Sequence, residues 1–132
     1  MKTDGRFSLM AGAIIAGLGV AVGAFGAHAL EAQVTPERLA VYETGARYQM
    51  YHALALLAVG LLQLHSASAA LRWSARFFVA GVVLFSGSLY LLVLLDWSML
   101  GAAAPFGGAA FLTGWTLLAY HCWHRVTPEK AP

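Results

Sequence analysis

The chain has 132 residues, 60% of them hydrophobic and 11% charged, with a formal net charge of +2 and one cysteine, Cys122. An ordinary soluble domain is about 25% charged and about 45–50% apolar, so a water-soluble core of this length is excluded as the home of so much apolar surface. The small charge, with no basic block, excludes nucleic acid as a partner, and a lone cysteine excludes an intramolecular disulfide.

The first element is a hydrophobic run from Phe7 to Leu30, preceded by Lys2 and Arg6 and containing Ala27-His28-Ala29 near its end. That small-x-small triplet fits a signal-peptidase site. The apolar stretch Phe7–Ala29 is nevertheless 23 residues long, beyond the roughly 7–15 of a signal core, and is read as a retained first transmembrane helix. Gly19 and Gly23 within it give a small-xxx-small spacing that lets a neighbouring backbone approach closely, here expected inside the molecule.

A connection over residues 31–45 follows, where Thr35 can cap a helix, Pro36 suits its first turn and Glu37 favours its positive end. Leu39, Tyr42 and Ala46 recur at helical spacing. These signs predict a short interfacial helix, bent at Gly45 into the second membrane segment, Gly45–Leu64.

That second segment opens with Arg47, Tyr48, Gln49, Tyr51 and His52. Its apolar part, Met50–Leu64, covers only about 22 Å, against roughly 30 Å of hydrocarbon. The polar opening therefore belongs to the span, with His52 about 10 Å along the axis from Gly45. Glu43 and Arg47 stand at i,i+4, where an ion pair is expected.

Third and fourth segments run over Phe77–Leu95 and Pro105–Trp123. The third carries Ser86, Ser88 and Tyr90, and the fourth has Gly107 and Gly108 in its first turn, where close packing against a neighbour is expected. Counted along their helices, His28, His52, Tyr90 and the Gly107-Gly108 turn fall at one end. Lys2, Arg6, Arg72, Arg76, Arg125 and Lys130 fall at the other, against Arg38 and Arg47 on the first side. By the positive-inside rule both termini are cytoplasmic. The expected fold is an all-α integral membrane four-helix bundle of a single domain.

Polar side chains in hydrocarbon usually face the bundle interior or a wet cavity. His28, Arg47, Tyr48, Gln49, Tyr51, His52, Ser86, Ser88 and Tyr90 are therefore expected to meet in a polar pocket in the outer leaflet, with Tyr90, Ser86 or His28 as partner to His52. The tyrosines also fit an interfacial aromatic belt.

Gly23–Leu30 (GAFGAHAL), Tyr42–Leu57 (YETGARYQMYHALALL), Leu84–Leu92 (LFSGSLYLL) and Pro105–Trp115 (PFGGAAFLTGW) resemble the signature segments of the domain of unknown function 423 family, the transmembrane protein 256-like small membrane proteins. The resemblance implies a small four-helix membrane protein and brings no activity with it.

Among chemistries, His28 and His52 could ligate a haem iron as facing imidazoles. His121, Cys122 and His124 lack further ligands for a metal site, so no cofactor or metal is expected. A histidine relay through His28 and His52 would serve transport of protons or small solutes, but all six acids lie in tails, loops or interfaces. Ser86 or Ser88 beside His52 would make a dyad with no orienting acid, so no enzyme is expected. The reading that remains is a multi-pass protein of a bacterial inner membrane. It would be either a non-catalytic subunit or assembly factor of a larger membrane complex, or a binder of lipid or quinone head groups. Membrane lipids are the expected partners, and the oligomeric state is left open.

Overall fold

The computed structural model describes residues 3–125; Lys2, Lys130 and one of the six acids, Glu129, lie outside them. Among these residues every element is helical. Helix α1, Thr3–Phe25, continues through a π turn at Gly26–Leu30, and α2 covers Pro36–His65. Helix α3, Ala69–Gly81, runs through a second π turn at Val82–Ser86 into α4, Gly87–Leu94. A 3₁₀ turn at Ser98–Ala103 leads into α5, Ala104–Arg125. The described residues thus make four rods, since the flanking residues of both π turns keep helical dihedrals.

Three rods, 3–30, 69–94 and 98–125, are long and apolar enough to cross a membrane, with mean hydropathies of 2.0, 2.3 and 1.3. Their outward faces are apolar: Phe7, Met10, Ile14, Leu18 and Val20 are all exposed along α1. A surface of that kind needs lipid or a partner against it. The sequence predicted four such rods. Helix α2, at 30 residues about 45 Å long, has the length but not the apolarity, and of its polar residues Tyr42, Gln49, His52 and Gln63 are buried against protein. It buries ten residues where α1 buries four.

Helix α2 also corrects the predicted interfacial helix. Residues 36–44 are its first turns, and the helix passes Gly45 without a break. The start is set as expected: Thr35 is extended and its Oγ1 accepts from Arg38 N at 3.3 Å, with Pro36 in the first turn. Gly45 serves packing instead of bending, since a Cβ there would lie 2.8 Å from Tyr90 Cε1. Arg38 pairs with Asp96, which holds the turn after α4 at a φ of 54°, a conformation a short polar side chain tolerates.

Helix α1 packs along α2, α2 packs on the α3–α4 rod, and α5 packs on α3 and its π turn, whereas α2 and α5 hardly approach by backbone. Glycine sets the close crossings. A Cβ on Gly107 would sit 2.4 Å from Phe85 N, and one on Gly12 would sit 2.9 Å from Ala53 O. The inner cluster joins Leu56, Val59, Leu71, Phe78 and Phe111. In lipid this cluster stabilises through fit rather than through escape from water.

Two expected packing glycines are corrected. Gly23 and Gly108 have nothing within 4 Å of a built Cβ, so both face open space. Gly19 makes ordinary contact with Met50 and Gln49.

Candidate functional site

The polar opening of α2 divides between two faces of the helix. One faces α1 and α4. There Tyr90 Oη donates to Gln49 Oε1 at 2.7 Å, and Gln49 Nε2 donates to Ile15 O at 2.9 Å. Tyr42 Oη donates to Val22 O at 2.8 Å, and the Tyr42 and Tyr90 rings stand 5.0 Å apart. Ser86 Oγ donates to Gly45 O at 2.7 Å. This seam joins three rods, and each of these donors finds an acceptor, as burial demands.

The other face carries His52, which is only 4% exposed. Its Nδ1 lies 2.7 Å from Tyr48 O, and Trp115 Nε1 lies 3.1 Å from its Nε2. A carbonyl can only accept and an indole N–H can only donate. His52 is therefore neutral, protonated at Nδ1, with both ring nitrogens engaged. Its ring stacks on Phe111 at 3.5 Å with 8° between planes, and Phe78 and Trp115 lie around it at 5.5 and 6.0 Å.

Because α2 and α5 meet through these side chains rather than by backbone, a groove of about 720 Å³ opens between them. Its walls are Tyr48, Tyr51, His52, Phe85, Pro105, Gly108, Ala109, Phe111, Leu112 and Trp115. Tyr48 and Tyr51 are 38% and 53% exposed, which leaves their phenols available as hydrogen-bonding groups. The volume falls in the range of roughly 300–1,000 Å³ usual for small-molecule sites, and the aromatic lining fits an apolar or amphipathic occupant.

The single expected pocket of nine residues is thus two arrangements plus outliers. Tyr48, Tyr51 and His52 share the groove; Gln49, Ser86 and Tyr90 share the seam; Ser88 turns back to Phe85 O at 2.9 Å. His28 and Arg47 are exposed and line neither. The expected Glu43–Arg47 ion pair is not formed among the described residues. The expected partners of His52 are replaced by Trp115 and the Tyr48 carbonyl, so neither serine forms a dyad with it. Its engaged Nε2 also removes the lone pair that a haem ligand or a proton relay would use. At the far end of α5, His121 is buried while Cys122 and His124 are exposed, so the helix does not bring the three to one face.

Sequence reasoning missed Trp115, Phe111 and Phe85 as parts of the site. The signal was present: Phe111 and Trp115 stand at i,i+4 in the fourth motif, which puts both on one face of α5.

Residues 22–108 match the model of a family described as a protein of unknown function (DUF423). The chain is 42% identical over 113 residues to a UPF0382 membrane protein of Staphylococcus aureus (strain bovine RF122 / ET3-1), covering 86% of this chain and 92% of the relative. It is 44% identical over 111 residues to the UPF0382 membrane protein YwdK of Bacillus subtilis (strain 168), covering 83% and 90%. It is 40% identical over 113 residues to the UPF0382 inner membrane protein YgdD of Escherichia coli (strain K12), covering 86% of each. No solved structure matches.

Proposed function

This chain belongs to the DUF423 family, membrane proteins without an assigned activity, and from that premise we propose that it is a four-span, non-catalytic membrane protein that holds an amphipathic lipid or quinone in the α2–α5 groove. The carrying observation is the groove itself: an aromatic-walled cleft of about 720 Å³ whose lining includes two exposed tyrosines. Phe85, Phe111 and Trp115 offer flat apolar walls to a chain or ring, and the Tyr48 and Tyr51 hydroxyls offer donors to an acceptor head group. Exposed Arg47 lies outside the groove lining but one turn before Tyr51 on α2, from which its long side chain can reach toward an anionic head.

Helix α2 is read as the fourth span because it packs along both α1 and the α3–α4 rod. Arg6, Arg72, Arg76 and Arg125 gather at one end, against Arg38 and Arg47 at the other, which supports cytoplasmic termini in a bacterial inner membrane. A second reading, as subunit or assembly factor of a larger complex, draws on the outward face of α1. Exposed Gly17 there has nothing within 4 Å of a built Cβ and would admit a close partner helix.

Filling the groove tests the first reading. Gly108→Leu projects into open space and Ala109→Trp adds bulk to the wall, so both should fold. Native mass spectrometry of protein purified in mild detergent should find a retained amphiphile on wild type and lose it in both variants. Wild type without one, or variants that carry it equally, would sink the reading; a stoichiometric protein partner instead would favour the second.

A further inference from the structure

A second cavity, of about 150 Å³, lies at the end of the molecule where α1 begins and α2 ends; it is lined by Asp4, Phe7, Ser8, Gln63, Arg72, Ala75 and Arg76. Unlike the groove it is polar and built around a buried amide. Ser8 and Gln63 are 0% and 3% exposed, and Ser8 Oγ donates to Gln63 Oε1 at 2.7 Å. That bond fixes the carboxamide, so its N–H₂ group turns away from Ser8 toward the cavity. Among the described residues no acceptor meets it. The N–H₂ is not sealed in the protein interior, so it can donate to a group that enters the cavity.

Two arginines line the same space, Arg72 through its contact with Asp4 and Arg76 from one turn further along α3. Arg72 and Arg76 stand one turn apart on α3, with Arg76 resting over the Trp73 ring at 4.9 Å. Among the described residues the opposing charge in the lining is Asp4, whose Oδ2 lies 3.7 Å from Arg72 Nη1. That is too long for a hydrogen bond, so the Arg72 donors are open to a better acceptor. The lining carries two positive charges and one negative, together with a neutral N–H₂ donor. Liquid water takes about 30 Å³ per molecule, so the volume suits a group the size of a phosphate.

We propose that this cavity binds the phosphate oxyanion of an anionic group, with Arg72 and Arg76 supplying charge, Gln63 Nε2 a fixed donor, and Asp4 acting as an internal competitor. Phe7 and Trp73, both about half exposed, flank it with apolar surface, which suits a lipid phosphate at head-group depth. The chemistry is shared by free phosphate, and the two sources separate by experiment.

Full-length protein in dodecyl maltoside would be titrated with inorganic phosphate, dihexanoyl phosphatidylglycerol and dihexanoyl phosphatidylcholine, with binding read by native mass spectrometry and by the shift in thermal midpoint. Wild type should prefer the phosphatidylglycerol to the phosphatidylcholine. Arg72→Gln and Arg76→Gln should each weaken that binding roughly fivefold, the worth of one basic side chain near an anionic surface. Asp4→Asn should tighten it, although it removes an ion pair and a purely structural role would predict loss of stability alone. Gln63→Glu keeps the Ser8 acceptor and the shape while replacing the donor with a charge, and should abolish binding in folded protein. Saturable binding of inorganic phosphate with the same response to these variants, and no lipid preference, supports the site and assigns it to the free ion. Wild type that binds none of the three, or folded Gln63→Glu and Asp4→Asn proteins that bind as wild type does, overturns it.

Discussion

The indole of Trp115 donates to His52 Nε2 at 3.1 Å while the other imidazole nitrogen meets the Tyr48 carbonyl at 2.7 Å, so a histidine in the middle of the molecule is held as a fixed neutral strut. It joins α2 to α5 across the groove where their backbones stand apart.

Trp115→Phe leaves Nε2 as a buried acceptor without a donor, at a cost of about 1–3 kcal/mol. The double variant His52→Phe/Trp115→Phe removes both partners and should recover part of that loss. Unfolding in detergent, analysed as a double-mutant cycle, measures the coupling; additive effects would show that the bond contributes nothing.

Imidazole ¹⁵N spectra of selectively labelled protein should find His52 protonated at Nδ1 and bare at Nε2. The opposite tautomer, or an imidazolium, would contradict the pair of contacts that fixes it. In Trp115→Phe the Nε2 resonance should move most.

Tyr90→Phe deprives Gln49 Oε1 of its donor and loosens the seam among α1, α2 and α4. Interhelical hydrogen bonds in membranes average about 0.6 kcal/mol, with a maximum of about 1.7, and a seam closed by neighbouring bonds belongs at the upper end. Equilibrium unfolding of the variant beside Tyr48→Phe, whose hydroxyl faces the groove, should show loss in the first alone.

Adjacent glycines should respond oppositely. Gly107→Ala drives a methyl into the Phe85 backbone, where a Cβ would sit at 2.4 Å, and overpacking of this kind costs about 1–3 kcal/mol. Gly108→Ala meets nothing within 4 Å and gains helix propensity worth up to about 1 kcal/mol. Thermal midpoints of the two variants should move in opposite directions.

Exposed Cys122, the only cysteine, reports orientation without any engineering. A membrane-impermeant maleimide should label it in inverted vesicles and leave it untouched in right-side-out cells. The reverse pattern would invert the proposed topology.

Much of this was legible in the residues. Thr35-Pro36-Glu37 announced a helix start because capping is local chemistry, and length arithmetic drew Arg47 through His52 into the second rod. What escaped was the distribution of those groups around α2. Gln49 and His52 are three residues apart yet serve different neighbours, because each finds its partner on another rod, and partner identity is tertiary information. His52 was expected to meet a hydroxyl or imidazole, and the indole that meets it lies on α5, 63 residues away in sequence, where only the packing of rods brings it near. Gly45 and Gly108 were misread for a related reason: a glycine records that bulk is absent, and whether that absence serves a bend, a contact or an open groove depends on what faces it.

The continuous α2 bears on how the protein is made. On the four-span reading, the innermost rod is the one whose own hydropathy least favours entry into lipid, and its acceptors and donors are supplied by α1, which emerges before it, and by α4 and α5, which emerge after. Such a segment gains little from leaving the insertion machinery alone. It would enter with α1 as a hairpin, with Gln49 already on the Ile15 carbonyl, and wait half-lodged until Tyr90 and Trp115 arrive. Truncation after α2 should therefore give a species that membranes retain poorly, and each added rod should anchor the ones before it.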